Sequence, residues 1–340
     1  MSQRISRSIR HVRTCDLVRP SVVRARRPAS APTYGVFPAM TTPFTDDGRI
    51  DFELLAENAR RLERAGVDGV VPVGTTGESA TLTHDEHIEV VETVVEAVDD
   101  VPVIAGSGSN STHEAVDLSR RSAAVGADAL LLISPYYNKP EPDGMEAHYR
   151  AVADAVDLPQ IVYNVPSRTG RNVAVETAVS LAEHENIVGY KAASGDAGRI
   201  SRIIEGTRDQ EFAVLSGDDG MTVPIISMGG SGVVSVAANV EPERTVEMVH
   251  AALDGDFATA RERHHELGPL FRALFYETNP IPINEAMEIS GHHAATMRSP
   301  LSRMDPDLRA DLAAVLDDLA SDADTDSEAG SDSDVAEASR

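Results

Sequence analysis

From residue 36 to residue 236 the chain repeats one unit: an apolar, β-branched run of strand length, then a stretch with helical spacing. The runs lie at 36–40, 69–73, 102–105, 129–134, 160–164, 187–191, 212–216 and 232–236, spaced by roughly 20–34 residues. The intervals between them, such as 52–66 and 84–98, carry helix-like patterns. Ala65-Gly66-Val67-Asp68-Gly69 and its echo Val125-Gly126-Ala127-Asp128-Ala129 read as a helix-ending glycine feeding the next strand. Eight strands, each followed by a helix, favour a closed parallel barrel over an open sheet. The open alternative, a doubly wound dinucleotide-binding sheet, lacks its fingerprint. Gly106-Ser107-Gly108 follows a strand, but position 111 is serine where a third glycine belongs.

The ends of the chain break the pattern. Residues 1–33 hold eight arginines against one acid, Asp16, so this segment is about +7 and the remainder about −32. Such an arginine- and serine-rich, acid-poor leader resembles a transit peptide, and otherwise reads as a disordered extension or as residues upstream of the true start. Residues 321–339 alternate Asp, Glu, Ser and Ala without a hydrophobic period, which predicts a solvated acidic tail. The expected α/β organisation is a disordered basic extension (1–33), a (β/α)8 TIM barrel (34–240), a C-terminal helical region (241–320) and a disordered acidic tail (321–340).

In such a barrel, chemistry collects where strands end and loops begin. The strand ends here are Gly74-Thr75-Thr76-Gly77-Glu78-Ser79, Tyr136-Tyr137-Asn138, Tyr163 through Gly170, Lys191, and Gly217-Asp218-Asp219. All would face one mouth. Lys191 is the most informative of them. Of the thirty basic residues, two are lysine, Lys139 and Lys191, and twenty-eight are arginine. Arginine replaces lysine as a solvated cation almost anywhere, but its guanidinium stays protonated and cannot form an imine. A lysine kept at the end of the apolar run Ile187-Val188-Gly189-Tyr190-Lys191 suggests an amine that does chemistry. The plainer reading is a leftover surface lysine.

Other candidates gather around it. A buried amine loses charge stabilisation, so its neutral, nucleophilic form becomes accessible, and a phenol such as Tyr163 at a neighbouring strand end can shuttle the proton. Tyr163 alone would read as a satisfied core tyrosine. The Gly74–Gly77 loop can aim backbone N–H groups and hydroxyls at a small carboxylate. It lacks the lysine of a nucleotide-phosphate loop. Arg168 offers a bidentate fork for a second carboxylate, or a structural ion pair. No metal site emerges: His84 and His87 are three apart without a carboxylate ligand pattern, and the pairs His264-His265 and His292-His293 should diverge at the surface. A single cysteine, Cys15, excludes an intrachain disulfide and a cysteine metal site.

The net charge of −25 excludes nonspecific nucleic-acid binding. No apolar stretch approaches the ~20 residues of a membrane helix, which reads as a soluble cytoplasmic protein. Acid excess with lysine replaced by arginine is the composition of a protein kept soluble in concentrated salt.

Taken together, these loops resemble the dihydrodipicolinate synthase branch of the pyruvate-dependent class I aldolases, over residues 34–318. The resemblance implies a (β/α)8 barrel assembled as a homotetramer, a dimer of tight dimers. It implies that Lys191 forms a Schiff base with pyruvate, that Thr76 holds the pyruvate carboxylate, and that the backbone of Val234 lines the pocket. Thr75, Tyr163 and Tyr137 would relay protons, with Tyr137 reaching in from the neighbouring subunit. Arg168 would anchor the carboxylate of aspartate-4-semialdehyde, and the product would be 4-hydroxy-tetrahydrodipicolinate, on the route to diaminopimelate and lysine. No cofactor is implied, because the protonated imine is itself the electron sink.

Ser79, Ala80, Leu82, His84, His87, Asn110, Glu114 and Tyr136 match the family's L-lysine inhibitor site at the tight-dimer interface; without a ligand they would form an interface polar network. Relatives usually carry an acid after the imine lysine, where this chain has Ala192; strand alternation should turn that residue away from the pocket. Other pyruvate aldolases, of the N-acetylneuraminate lyase or 2-keto-3-deoxy sugar-acid type, would share the lysine, the tyrosine and the Gly-Thr loop. Arg168, Tyr136-Tyr137 and Asn279-Pro280-Ile281-Pro282 favour the synthase, because sugar-acid relatives need hydroxyl-binding groups there. A noncatalytic carboxylate-binding barrel is the reading from another class, and retention of both Lys191 and Tyr163 argues against it.

The acidic composition makes one direct prediction. Self-repulsion should be relieved as salt rises, so thermal melts in potassium chloride should move upward toward molar concentrations. A protein fully folded and active in dilute buffer would contradict the salt-adapted reading.

Overall fold

The computed structural model describes residues 33–337, with side chains as far as Ser321. Seven of the apolar runs become parallel strands: β1 (Gly35–Pro38), β2 (Ile104–Gly106), β3 (Ala129–Ile133), β4 (Gln160–Asn164), β5 (Ile187–Ala192), β6 (Ala213–Ser216) and β7 (Gly232–Ser235). Their order is β1-β7-β6-β5-β4-β3-β2. The eighth run, expected over 69–73, is reduced to single parallel bridges, Ala39 with Val71 and Val70 with Val103. These nevertheless fill the gap between β1 and β2. The Val71 amide donates to the Pro38 carbonyl at 2.9 Å, and the Ile104 amide to the Val70 carbonyl at 2.9 Å. Pro72 has no N–H to extend the ladder, and Val73 turns into a left-handed conformation at φ 51°, so the strand stops short while the barrel still closes.

Alternation along the strands builds two cores. Phe37, Leu131, Ile161, Tyr163, Leu215 and Val234 point into the barrel, whereas Val36, Leu132, Val162, Tyr190, Val214 and Val233 pack outward against helices. Ala192 joins the outward set, as alternation from Lys191 requires.

The outer ring is α1 (Phe52–Arg64), α2 (His84–Ala97), α3 (Thr112–Ala124), α4 (Pro142–Ala155), α6 (Val175–Leu181), α7 (Ala197–Thr207), α8 (Thr222–Ser227) and α9 (Pro242–Leu253), each packed on the next. The short α5 (Pro166–Thr169) belongs to a loop at the barrel mouth. Asp51 caps α1 by accepting from the Leu54 amide at 3.0 Å, and Thr83 with Glu86 forms a capping box on α2. Gly66 and Gly126 take the left-handed conformation, at φ 83° and 96°, that lets α1 and α3 hand over to the following segment.

Because α9 packs on β1 and β7 as the eighth outer helix, the added helices start later than the expected boundary at 241. They are α10 (Phe257–Ala273), α11 (Ile281–Ile289) and α12 (Pro306–Glu337). The backbone of α12 carries the acidic run on as helix to Glu337, where the sequence reads as an unstructured tail. The expectations for residues 1–32 and 338–340 fall outside the described residues. Of the histidine pairs expected at the surface, His293 is instead buried, with Nε2 3.0 Å from Thr41 Oγ1. Among the described residues no helix is long and apolar enough to cross a membrane.

The helical addition is fastened by a buried acid. Glu285 on α11 is wholly buried and meets Arg303 through both carboxylate oxygens at 2.6 and 2.7 Å, and Arg309 on α12 at 2.9 Å. Breaking a fully buried pair costs ~3–5 kcal/mol, and the partial exposure of both arginines reduces this. Glu285→Ala should therefore destabilise the fold by about 2 kcal/mol in denaturant titration, whereas truncating Asp47, whose pair with Arg49 is exposed, should leave the transition where it is in wild type.

Candidate active site

Parallel register assembles the centre of the site. Tyr163 on β4 pairs with Lys191 on β5, which pairs with Leu215 on β6. Both flanking residues belong to the barrel interior, so Lys191 enters it too and is 6% exposed. Its Nζ lies 4.1 Å from the centroid of the Tyr163 ring. Gly217, just beyond β6, has no side chain because the lysine stem fills that space: a Cβ there would stand 2.9 Å from Lys191 Cε.

Burial pushes the Lys191 ammonium down to about 7, helped by the Arg168 charge and opposed by the Asp219 carboxylate. Burial raises the Tyr163 phenol; Arg168 and a hydrogen bond from Thr75 oppose that rise. The amine is thus partly neutral near neutral pH, and the phenol beside it retains its proton.

Asp219 is the buried counter-charge. It accepts from Ser235 Oγ at 2.5 Å and from the Val236 and Ala237 amides at 3.0 and 3.2 Å, ties that fix the turn after β7. Burial raises its carboxyl against those hydrogen bonds.

The loop after the 69–73 segment forms the opposite wall. Val73 and Glu78 both take left-handed conformations, at φ 51° and 54°, around Gly74-Thr75-Thr76-Gly77. A β-branched residue held there is strained, which identifies a turn fixed by its surroundings. Thr76 is buried, and its Oγ1 accepts from Asn279 Nδ2 at 3.0 Å. Arg168 on α5 is exposed at the mouth, and its Nη2 donates to the Asn279 carbonyl at 2.6 Å. Thr75, Thr76, Ser79, His87, Tyr163, Arg168 and Lys191 line one cavity of about 810 Å³, walled on its outer side by Phe275 and Tyr276. That volume suits small-molecule chemistry.

Other residues singled out from sequence lie apart. Val234 is buried in the barrel interior and is not among the residues lining the cavity. Tyr137, in a left-handed turn at φ 63°, is 87% exposed and does not line the cavity of its own chain. Tyr136 is likewise exposed.

In the second set, His84 Nε2 on α2 lies 3.0 Å from the Glu114 carboxylate on α3, and Glu114 also accepts from Ser109 Oγ. His87 is buried with Nε2 2.7 Å from the Gly106 carbonyl, and burial lowers its imidazole to about 4. Ala80 and Leu82 flank this loop, and Asn110 buries a side-chain oxygen that has no protein partner among the described residues.

Sequence reasoning named Asp219 and Asn279 without giving either a role. Asp219 sits in a strand-end motif, a usable signal. Asn279 acts from 203 residues beyond Thr76, a contact no local pattern encodes.

A closed parallel α/β barrel with a desolvated lysine at its mouth defines an enzyme organised around an amine. The chain belongs to the dihydrodipicolinate synthetase family, whose model matches residues 32–319. It is 72% identical over 285 residues to the 4-hydroxy-tetrahydrodipicolinate synthase of Natronomonas pharaonis, covering 84% of this chain and 97% of that one. Among solved structures it resembles a chloride-inhibited dihydrodipicolinate synthase from Acinetobacter baumannii complexed with pyruvate, with TM-score 0.82, 38% identity and coverage of 85% and 99%. It also resembles that of Cyanidioschyzon merolae with lysine bound, with TM-score 0.83, 39% identity and coverage of 86% and 99%.

Lys191 carries a stability cost with a defined sign. Its folded pKa, about 7, lies below the ordinary 10.5, so the cost is absent above pH 10.5, grows as pH falls and is complete below about 7. Lys191→Met should raise the melting temperature, most at pH 6 and not at pH 11. An equal gain at both values would mean that the amine is not desolvated.

Proposed function

We infer that this chain is a 4-hydroxy-tetrahydrodipicolinate synthase that condenses pyruvate with aspartate-4-semialdehyde through an imine on Lys191. The observation that carries the reading is the buried Lys191 amine, lowered to about 7 and held 4.1 Å from the Tyr163 ring.

The Gly74-Thr75-Thr76 turn receives the pyruvate carboxylate, Thr76 being its hydroxyl donor. The neutral amine of Lys191 attacks the keto carbon, and Tyr163, linked to Thr75, carries the proton that lets the carbinolamine lose water. The protonated imine draws electrons from the adjacent methyl group, which gives up a proton to form the enamine. That carbon attacks the aldehyde of the second substrate, whose carboxylate Arg168 holds bidentately at the mouth. The substrate's own amine then closes on the imine carbon and expels Lys191. No oxidant or external cofactor enters this sequence.

Tyr137 completes the relay from a second copy of the chain, which its exposed, left-handed placement suits. The assembly is a homotetramer built from tight dimers, acting in the cytoplasm. Ser79, Ala80, Leu82, His84, His87, Asn110, Glu114 and Tyr136 form an L-lysine inhibitor site, with Glu114 meeting the ammonium. The lysine-bound relative supports this assignment.

Borohydride reduction in the presence of pyruvate should add mass to the peptide containing Lys191, and Lys191→Arg should keep the fold while abolishing turnover. Mass on the Lys139 peptide alone, or substantial turnover by the arginine variant, would overturn the covalent mechanism.

A further inference from the structure

The chain between α10 and α11 touches Arg168 and Thr76 through one residue, Asn279. The peptide oxygen of Asn279 accepts from Arg168, and its amide nitrogen donates to Thr76 Oγ1. Asn279 is 6% exposed, lines the cavity, and leaves its Oδ1 without a protein partner among the described residues. The direction of this bond has a consequence. A hydroxyl whose oxygen already accepts from an amide keeps its proton for another acceptor. Thr76 Oγ1 has no other hydrogen-bond partner among the described residues. The reverse amide orientation would bury an orphan N–H instead of an orphan oxygen, and buried orphan N–H groups are the rarer of the two.

We propose that Asn279 is a positioning residue for pyruvate: its side-chain amide occupies the Thr76 oxygen and so turns the Thr76 hydroxyl proton into the cavity, toward the substrate carboxylate. The inference rests on the imine reading given above and adds the residue that sets the polarity of its carboxylate site. The helical addition thereby takes part in substrate binding, through a residue that need not touch pyruvate.

The test compares Asn279→Ala and Asn279→Asp in the full-length protein. Pyruvate affinity is read from the concentration dependence of borohydride trapping on Lys191, between pH 5.5 and 8, with thermal melts confirming the fold. Lys191, Arg168, Asp218, Tyr163, Tyr276, His87 and Glu277 face the same cavity. Their titration is common to wild type and variants, so the ratio of affinities is the quantity compared.

Loss of one oriented hydrogen bond should weaken pyruvate about tenfold in Asn279→Ala, with a ratio independent of pH. Asn279→Asp should be weaker still at neutral pH, where a carboxylate would draw the Thr76 proton toward itself. Its ratio should recover toward wild type as the new carboxyl protonates and can donate. If Asn279→Ala does not fold, the isosteric aspartate alone decides.

An aspartate variant equal to wild type at neutral pH would overturn the inference, because Thr76 would then be the donor to position 279. For the aspartate variant, a loss of the same size at every pH would overturn it too, by reducing Asn279 to packing. Absence of trapping in wild type would fail the imine reading itself; trapping with unaltered variants would fail this inference alone.

Discussion

Burying one amine is the constraint around which this molecule is arranged. Desolvation disfavours the charged form of Lys191, and the structure neither relieves that cost fully nor leaves it unopposed. Asp219 lies close enough to support the ammonium, yet its oxygens are already engaged by Ser235 and two backbone amides. Arg168 pushes in the other direction. The balance places the amine near neutrality, which is what the proposed imine chemistry asks of one nitrogen: attack on a carbonyl and then support of a positive imine. A stronger pair with Asp219 would hold the proton, and a wholly apolar surround would oppose the cationic intermediate.

The barrel supplies the geometry this balance needs. Parallel register fixes Lys191 beside Tyr163, and alternation turns Ala192 outward into the helix layer, so substitution there leaves the pocket wall unchanged. The loop opposite is strained at Val73 and Glu78 and is held from outside the barrel. Arg298, after α11, grips Glu86 through two nitrogens at 2.6 and 2.8 Å, donates to the Gly48 and Thr81 carbonyls, and gives its own amide to Glu78. Burial raises the Glu78 carboxyl to about 7 against these bonds. The segments on either side of α11 therefore brace the Gly-Thr turn, through Asn279 on Thr76 and Arg298 on Glu78.

What the sequence makes legible follows the range of the forces involved. Apolar runs of strand length and helix-ending glycines are local, so the barrel and its mouth can be read directly; Lys191, Tyr163, Arg168, Thr75 and Thr76 line one cavity. The shortened 69–73 strand depends on Pro72 and on the left-handed turn at Val73, which an apolar run conceals. The burial of His293 depends on Thr41, 252 residues away, and the Asn279–Thr76 bond is similarly remote. Adjacent histidines look like surface from sequence because nothing local reveals the partner. The place of α9 has a related origin: it and the helices after it share the same periodicity, and its packing on β1 and β7 sets it beside the barrel helices.

The near-absence of lysine sharpens the division of labour between the two cations. Arg298, Arg303 and Arg309 each make several directed contacts with carboxylates, two of them fork-like, a geometry an ammonium cannot reproduce. With a net charge of −25, such arginines tie acidic elements together while leaving excess acid on the chain. Lys191 is the converse case. Its surroundings offer no fork to fill, and a guanidinium in its place would remain charged and hydrogen-bond-hungry inside the barrel. Substitution pressure toward arginine can run through the rest of the molecule because each site there asks for a cation. At residue 191 the proposed chemistry asks for a cation that can stop being one.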